Sequence, residues 1–284
     1  TYICSYYGVR IIYHAAAYKH VPLVEFNSSQ GVLNNAIGTM VAAKVAIAVN
    51  IETFILISTD KAVRPTNVMG ATKRVAELTL QALAKNSHNT CFTMVRFGNV
   101  LNSSGSVIPL FKKQIKAGGP ITVTHADVVR YFMTIPEAVE LVMQAVAMAK
   151  GGEVFVLDMG EPVRIDDLAK KMIKLSGMHL KDKNNPMGDI EIEYTGLRAG
   201  EKLYEELLID STFSPTNNKL IMQAEEKMII WSKLEPMLSQ IKKSAINDET
   251  ENIYKLLKKI VPHFKPEANG SDIDLKDSLD IKNS

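Results

Sequence analysis

Short apolar runs alternate with longer stretches of helical spacing along the first half of the chain. "VRIIYHAAA" (9–17) is compact and rich in β-branched residues, which predicts a buried parallel strand. From about 23 to 49, apolar residues recur at helical spacing among many alanines, and "TFILIST" (53–59) is a second strand. Asn67 is placed to cap a helix running to about Asn86, and "CFTMVRFGNV" (91–100) is a third strand. Pro136 opens a further helix to about Lys150, Gly151-Gly152 ends it, and "EVFVLD" (153–158) is a fourth strand. Alternation of this kind predicts βαβ units and an α/β fold, a doubly wound parallel sheet of the Rossmann type.

After Asp158 the pattern changes. "RIDDLAKKMIKLSG" (164–177) is helical, 189–208 has the pattern of a strand, a loop and a helix, and 225–260 gives further helical pieces. These predict a smaller α+β lobe. The expected division places 1–104 and 126–158 in the Rossmann part, 105–125 in an excursion to the substrate lobe, and 159–265 in that lobe. Residues 266–284 are polar, poor in apolar side chains and expected to be a disordered tail.

Composition narrows the class. A chain of 284 residues can bury a sizeable core, and 46% apolar with 23% charged residues is ordinary for a globular protein. A net charge of +2 with scattered basic residues points away from nucleic acid. Cys4 and Cys91 lack metal-ligand spacing, so no metal site is expected and both are read as buried small hydrophobes. The most apolar region, "AIGTMVAAKVAIAVNIETFILI", is interrupted by Lys44, Asn50 and Glu52, short of the roughly 20 residues a membrane helix needs.

In open parallel sheets, ligands sit beyond the carboxyl ends of the strands. Those ends carry Ala15-Ala16-Ala17, then Ser58-Thr59-Asp60-Lys61, then Gly98-Asn99. Three small residues at one strand end let a flat or phosphorylated ligand approach the backbone. Met69 and Lys73, at i and i+4, share one helix face. His14, inside an apolar strand, is expected to be a satisfied core histidine.

Six blocks in order, "YHAAAYKHVPLVE", "STDKAVRPTNVMGATKR", "RFGNVLNSSGSVIPLF", "RYFMTIPEA", "GEVFVLDMGEPVRIDDLAKKM" and "RAGEKLYEELL", resemble the catalytic domain of CapD-like polysaccharide-biosynthesis proteins. That family comprises nucleoside-diphosphate-sugar 4,6-dehydratases of the extended short-chain dehydrogenase/reductase superfamily. The resemblance implies tightly held NAD and a UDP-sugar substrate, with UDP-N-acetylglucosamine the expected one. It also implies oxidation at sugar C4, loss of water across C5 and C6, and reduction at C6.

Catalysis is thereby assigned to Thr59, Asp60 and Lys61, with Met69 and Lys73 counted among the catalytic positions. Asp60 is expected to protonate the departing 6-hydroxyl, and a neutral Lys61, its pKa lowered by burial, to take the C5 proton. Nicotinamide enzymes commonly carry a tyrosine four residues before such a lysine. The thioether of Met69 cannot take a proton, so Thr59 is expected to relay the C4 hydroxyl proton. Lys73, with Ala15, Ala16, Ala17 and Ser58, is expected at the cofactor. Lys19 and Asn99 resemble positions lining the sugar-nucleotide site. Arg130 and Arg198 suit the diphosphate, although each suits a structural ion pair as well. Ala199 stands where the family usually has proline.

No G-x-G-x-x-G occurs in the sequence, and the resemblance places that loop upstream of "YHAAAYKHVP". The expectation is therefore a fragment lacking the first strands of the sheet, with "RIIYHAA" left as an apolar edge. Such a piece alone should bind NAD poorly and turn over negligibly. Homo-oligomers are expected, acting at the cytoplasmic face, with any membrane anchor lying in the missing N-terminal region. The rival functions are a UDP-sugar 4-epimerase and a non-catalytic nucleotide-sugar-binding protein.

Overall fold

Four β-branched and aromatic runs build the parallel part of a six-stranded sheet. The computed structural model describes residues 1–87, 89–198, 200–206 and 213–266. Sheet order is Ile11–His14, Thr53–Ile57, Cys91–Arg96, Val154–Leu157, Ile221–Ala224, Phe213–Pro215. The first four strands run parallel and the last two antiparallel. Alternate side chains leave opposite faces. Phe54, Leu56, Phe92 and Met94 meet Ala43, Ala46, Ala76 and Leu80 of the helices Ser28–Ala48 and Val68–Ala84. Ile55, Val95, Phe155 and Leu157 meet Ala138, Leu141 and Val142 of the helix Ile135–Met148. Helices on both faces make the sheet doubly wound, as the alternation predicts.

Helix starts also follow the sequence. Asn67 Oδ1 accepts from the Gly70 N–H at 2.8 Å, and Thr134 with Glu137 closes a reciprocal capping box at the start of Ile135–Met148. The strand Ile11–His14 lies at one end of the sheet, with Ile11 47% and Tyr13 48% exposed.

Several elements differ from expectation. Ser28–Ala48 is a 21-residue helix that is long and apolar enough to cross a membrane by length and composition. Here it is a core helix: Val32, Ala36, Ala43 and Ala46 are fully buried against protein, as are Asn35 and Thr39. Cys4 and Cys91 are free and half-buried rather than buried. The strands at 213–224 extend the large sheet, not the small lobe. The helices Trp231–Ile246 and Thr250–Ile260 likewise lie on the Rossmann side. Their apolar stripes (Leu234, Leu238, Ile241, Ile253, Leu257) cover Val32, Val75 and Leu78, which would otherwise face water.

The smaller lobe is correspondingly compact. Helices Val107–Lys116 and Ile165–Leu175 enclose Phe111, Ile121, Val123 and Ile190 over a three-stranded parallel sheet. Of the helix expected near 200–208, residues 200–206 are not helical and the rest lies outside the described residues, as does the tail from 267.

Candidate active site

The end of Thr53–Ile57 sends successive polar residues to different surroundings. Ser58 continues the ladder, its N–H donating to Val95 O at 2.8 Å, while its hydroxyl donates to Glu77 Oε1 at 2.6 Å. Glu77 is wholly buried, 2.9 Å from Arg74 and 2.5 Å from Arg96, and both arginines also reach Glu226. Burial pushes the Glu77 carboxyl up, but the charges and hydrogen bonds of Arg96 and Arg74 prevail and hold it at about 2. Ser58, expected at the cofactor, thus serves this quartet. A buried carboxylate demands donors, and the hydroxyl is the nearest neutral one.

Thr59 then turns the chain. It caps a one-turn helix, Asp60–Ala62, accepting from the Lys61 N–H and donating its own hydroxyl to Asp60 Oδ1 at 2.8 Å. Lys61 Nζ donates to the same oxygen at 3.1 Å and stands 3.3 Å from Glu205 Oε1. Asp60 is 1% exposed, and its Oδ2 has no hydrogen-bond partner among the described residues. Gly98 leaves room for that oxygen, since a Cβ there would stand 3.3 Å from Oδ2. Gly70 is equally constrained, because its Cβ would fall on the Lys61 carbonyl oxygen. The Val68–Ala84 helix can approach the Asp60–Ala62 turn only through a glycine.

Burial opposes charge on the Lys61 amine, but Asp60 and Glu205 outweigh it and raise the pKa above the ordinary lysine value. The resting amine is therefore an ammonium, not the neutral base expected. Lys73 behaves in the opposite way. Its Nζ donates to Ile57 O at 2.7 Å, and burial, offset in part by Glu77, brings it down to about 8. The His14 ring is bonded to Thr39 Oγ1 at 3.0 Å and lowered by burial and by Lys73, so the lysine lies near the ends of the first two strands.

Met69 is 3% exposed and packs with Val68, Ala71 and Val75 in the helical core. It fills space there and, like Thr59, Asp60 and Lys73, is not among the residues lining the cleft. Ala15 and Ala16 are exposed and Ala17 half-buried on the loop after the edge strand. That loop is fastened by Asn35, whose amide accepts from Tyr18 N at 2.7 Å and donates to Tyr18 O and Thr72 Oγ1.

A cleft of about 290 Å³ between the sheet's carboxyl edge and the small lobe collects Lys61, Asn99, Arg130 and Arg198. Lys19 is exposed and is not brought to it. Arg130 is ion-paired, 2.9 Å from Glu201 and 3.6 Å from Glu205, so the structural reading of that residue applies in this state. Arg198 lines the cleft, and its backbone N–H donates to Glu201 Oε2 at 3.2 Å. Ala199 lies outside the described residues. The 200–202 segment is tied across the cleft, since Thr66 Oγ1 and Asn67 Nδ2 donate to Gly200 O and Lys202 Nζ donates to Val63 O. Among the described residues, no group of His, Cys, Asp and Glu is placed to hold a metal ion.

Sequence reading missed Glu201, Glu205 and Asn35. The two glutamates looked like one charged face of an ordinary helix. Asn35 left a weaker trace, a polar residue inside "VLNNAIGTM", where the helix opens into a π-turn over Val32–Ile37.

A family model described as polysaccharide biosynthesis protein matches residues 1–226. The chain belongs to this family. The capsular polysaccharide biosynthesis protein CapD of Staphylococcus aureus is 58% identical over 204 residues, covering 72% of this chain and 33% of CapD. This member of the polysaccharide biosynthesis protein family thus spans about a third of the length of that relative. A UDP-glucose 4-epimerase of Rickettsia rickettsii is 37% identical over 204 residues, 71% of this chain and 57% of the relative. Among solved structures, a dTDP-glucose 4,6-dehydratase of Streptomyces venezuelae, crystallised with NAD and DAU bound, has a TM-score of 0.61 at 20% identity. It covers 70% of this chain and 65% of that one, a likeness of fold alone.

Proposed function

We propose that the whole protein is an NAD-dependent enzyme that dehydrates a UDP-N-acetylhexosamine to its 4-keto-6-deoxy sugar for polysaccharide synthesis. One observation carries the reading: Lys61 lines the cleft and is paired with the buried Asp60 behind it, one carboxylate oxygen being shared by Thr59 and Lys61 and the other having no partner among the described residues. An isolated buried acceptor costs about 1–3 kcal/mol. A sugar hydroxyl donating to Oδ2 would recover that loss.

The elimination moves one proton from C5 to O6. Asp60 and Lys61 together hold one transferable proton, and their 3.1 Å hydrogen bond lets it pass between them. Transfer from the ammonium to the carboxylate produces a carboxylic acid and a free amine in one step. Asp60 then protonates the departing hydroxyl and Lys61 accepts the C5 proton, which restores the starting pair. Thr59, bonded to Asp60 Oδ1, is the route by which the C4 hydroxyl proton leaves to solvent. When C6 is reduced, Lys61 returns a proton to C5 and is recharged from solvent, so one proton leaves and one enters in each turnover. Met69 takes no part in proton transfer.

NAD fits the residues present at its nicotinamide end, where Lys73 stands beside Ile57 O and Ala15 and Ala16 are small and exposed. When bound, it supplies the hydride acceptor for C4 and returns that hydride to C6. Lys73, with a value of about 8, would hold the ribose hydroxyls. Arg198 and Asn99 would bind the diphosphate and the sugar.

The Rickettsia relative favours a second reading, UDP-sugar 4-epimerase. Epimerisation needs no elimination acid, and the buried Met69 leaves no phenol at that position. Incubating the whole protein with UDP-N-acetylglucosamine and NAD separates the readings. A 4-keto-6-deoxy product is expected, UDP-N-acetylgalactosamine would establish the epimerase, and binding without conversion would establish a binding protein.

A further inference from the structure

Glu205 is the residue at the cleft that the dehydratase reading leaves without a task. Its side chain is 4% exposed, and a single oxygen, Oε1, stands 3.3 Å from the Lys61 amine and 3.6 Å from the Arg130 guanidinium. A carboxylate buried this deeply is ordinarily matched to its cations and nothing more. Here one of those cations is half of the proposed proton-transfer pair. The charged groups facing the Lys61 amine are Asp60 on its own turn, Glu205 on the 200–206 segment and Arg130 on the strand Val129–Arg130. Glu205 therefore competes with Asp60 for one ammonium, and Arg130 tempers Glu205.

We propose that Glu205 is a positioning residue for Lys61, holding the amine against Asp60 and setting which member of that pair keeps their shared proton. This rests on the dehydratase reading of the same site. With the Glu205 charge present, the resting state is carboxylate and ammonium. Removing that charge favours the neutral pair, because burial then works against the ammonium with only Asp60 to oppose it. The step itself is balanced: the N–H bond of Lys61 breaks, an O–H bond forms on Asp60, and no outside reagent enters. Charge neutralisation at Glu205 should also free the pair to lose its proton at lower pH. The alkaline limb of the rate profile would then move downward, with KM for the nucleotide sugar little altered because Arg198 and Asn99 are untouched.

The test separates this inference from the function beneath it. Lysine carrying ¹³C at Cε is incorporated into the chain, the Lys61 resonance is assigned by its loss in Lys61→Met, and its titration is followed without substrate. The Lys61 midpoint should fall in Glu205→Gln and return in Glu205→Asp, which keeps the carboxylate; circular dichroism checks that each variant is folded. An unchanged midpoint in folded Glu205→Gln overturns the assignment, whatever the protein catalyses. If the midpoint falls but the whole protein forms no 4-keto-6-deoxy product, the dehydratase reading fails and Glu205 governs only the charge of Lys61. If product forms, the alkaline limb in Glu205→Gln should lie below that of the wild type, and an unmoved limb would count against a role in the reaction.

Discussion

Two clusters of charge begin at adjacent residues on one strand end and behave differently. Ser58 belongs to the Arg74–Glu77–Arg96–Glu226 quartet, in which the arginines and glutamates are all paired and Arg96 is fully buried. Thr59 and Asp60 form a second cluster with Lys61, which alone of the three lines the cleft; Asp60 Oδ2 has no partner among the described residues and Lys61 is divided between two carboxylates. Both clusters are desolvated, and both contain acids beside bases. The quartet is saturated, so it can only hold the helix Val68–Ala84, the strand Cys91–Arg96 and the 225–227 segment together. The Asp60–Lys61 cluster is short of one donor, and on the dehydratase reading a substrate hydroxyl supplies it. On that reading saturation, rather than burial or charge, separates the two clusters.

That contrast can be broken by exchanging the expected effects. Asp60→Asn should lower turnover of the whole protein by roughly 10²–10⁴-fold, the usual scale of a lost general acid–base group, while the unfolding midpoint stays near that of the wild type. Activity assays beside thermal melts would decide it, and a large loss of stability with full turnover would reverse the two roles. Arg96→Met should do the opposite. It leaves Glu77 and Glu226 without their shared fork and should destabilise the fold by about 3–5 kcal/mol, read from urea denaturation.

The quartet also fixes a pH dependence. The Glu77 value of about 2 lies below its ordinary 4.5, so its contribution to stability is complete above pH 4.5 and drains away as pH falls toward 2. Equilibrium unfolding across that window should show the loss in wild type and a flatter profile in Glu77→Gln. Smallest is Ser58→Ala, which removes one hydrogen bond to a charged group and should cost about 1.5–3 kcal/mol with turnover retained. A fall in NAD affinity without a stability change would return Ser58 to the cofactor.

The parallel strands and the helix starts were legible because each rests on local pattern: β-branched runs for Thr53–Ile57 and Cys91–Arg96, Asn67 three residues before the group it binds, and Pro136 in the first turn of Ile135–Met148. The strands Phe213–Pro215 and Ile221–Ala224 are three and four residues long, and only pairing defines them, the second with Val154–Leu157 and the first with the second. The spacing of Met69 and Lys73 correctly puts them on one helix. It says nothing of exposure when every residue from Val68 to Leu83 is buried. Glu205 left no trace because its partners, Lys61 and Arg130, are distant in sequence and the chain between them must fold first. Neutral Lys61 was expected from burial and nearby cations; the charges of Asp60 and then Glu205 outweigh that burial.

The central claim is that Asp60 and Lys61 move a proton between C5 and O6 of a nucleotide sugar. The most direct measurement runs the whole protein, its Asp60→Asn variant and its Lys61→Met variant on UDP-N-acetylglucosamine in deuterated water, with mass and NMR analysis of the sugar. The account predicts a 4-keto-6-deoxy product carrying solvent deuterium at C5 from the wild type, and none from either variant. Dehydrated product from both variants at the wild-type rate would contradict it.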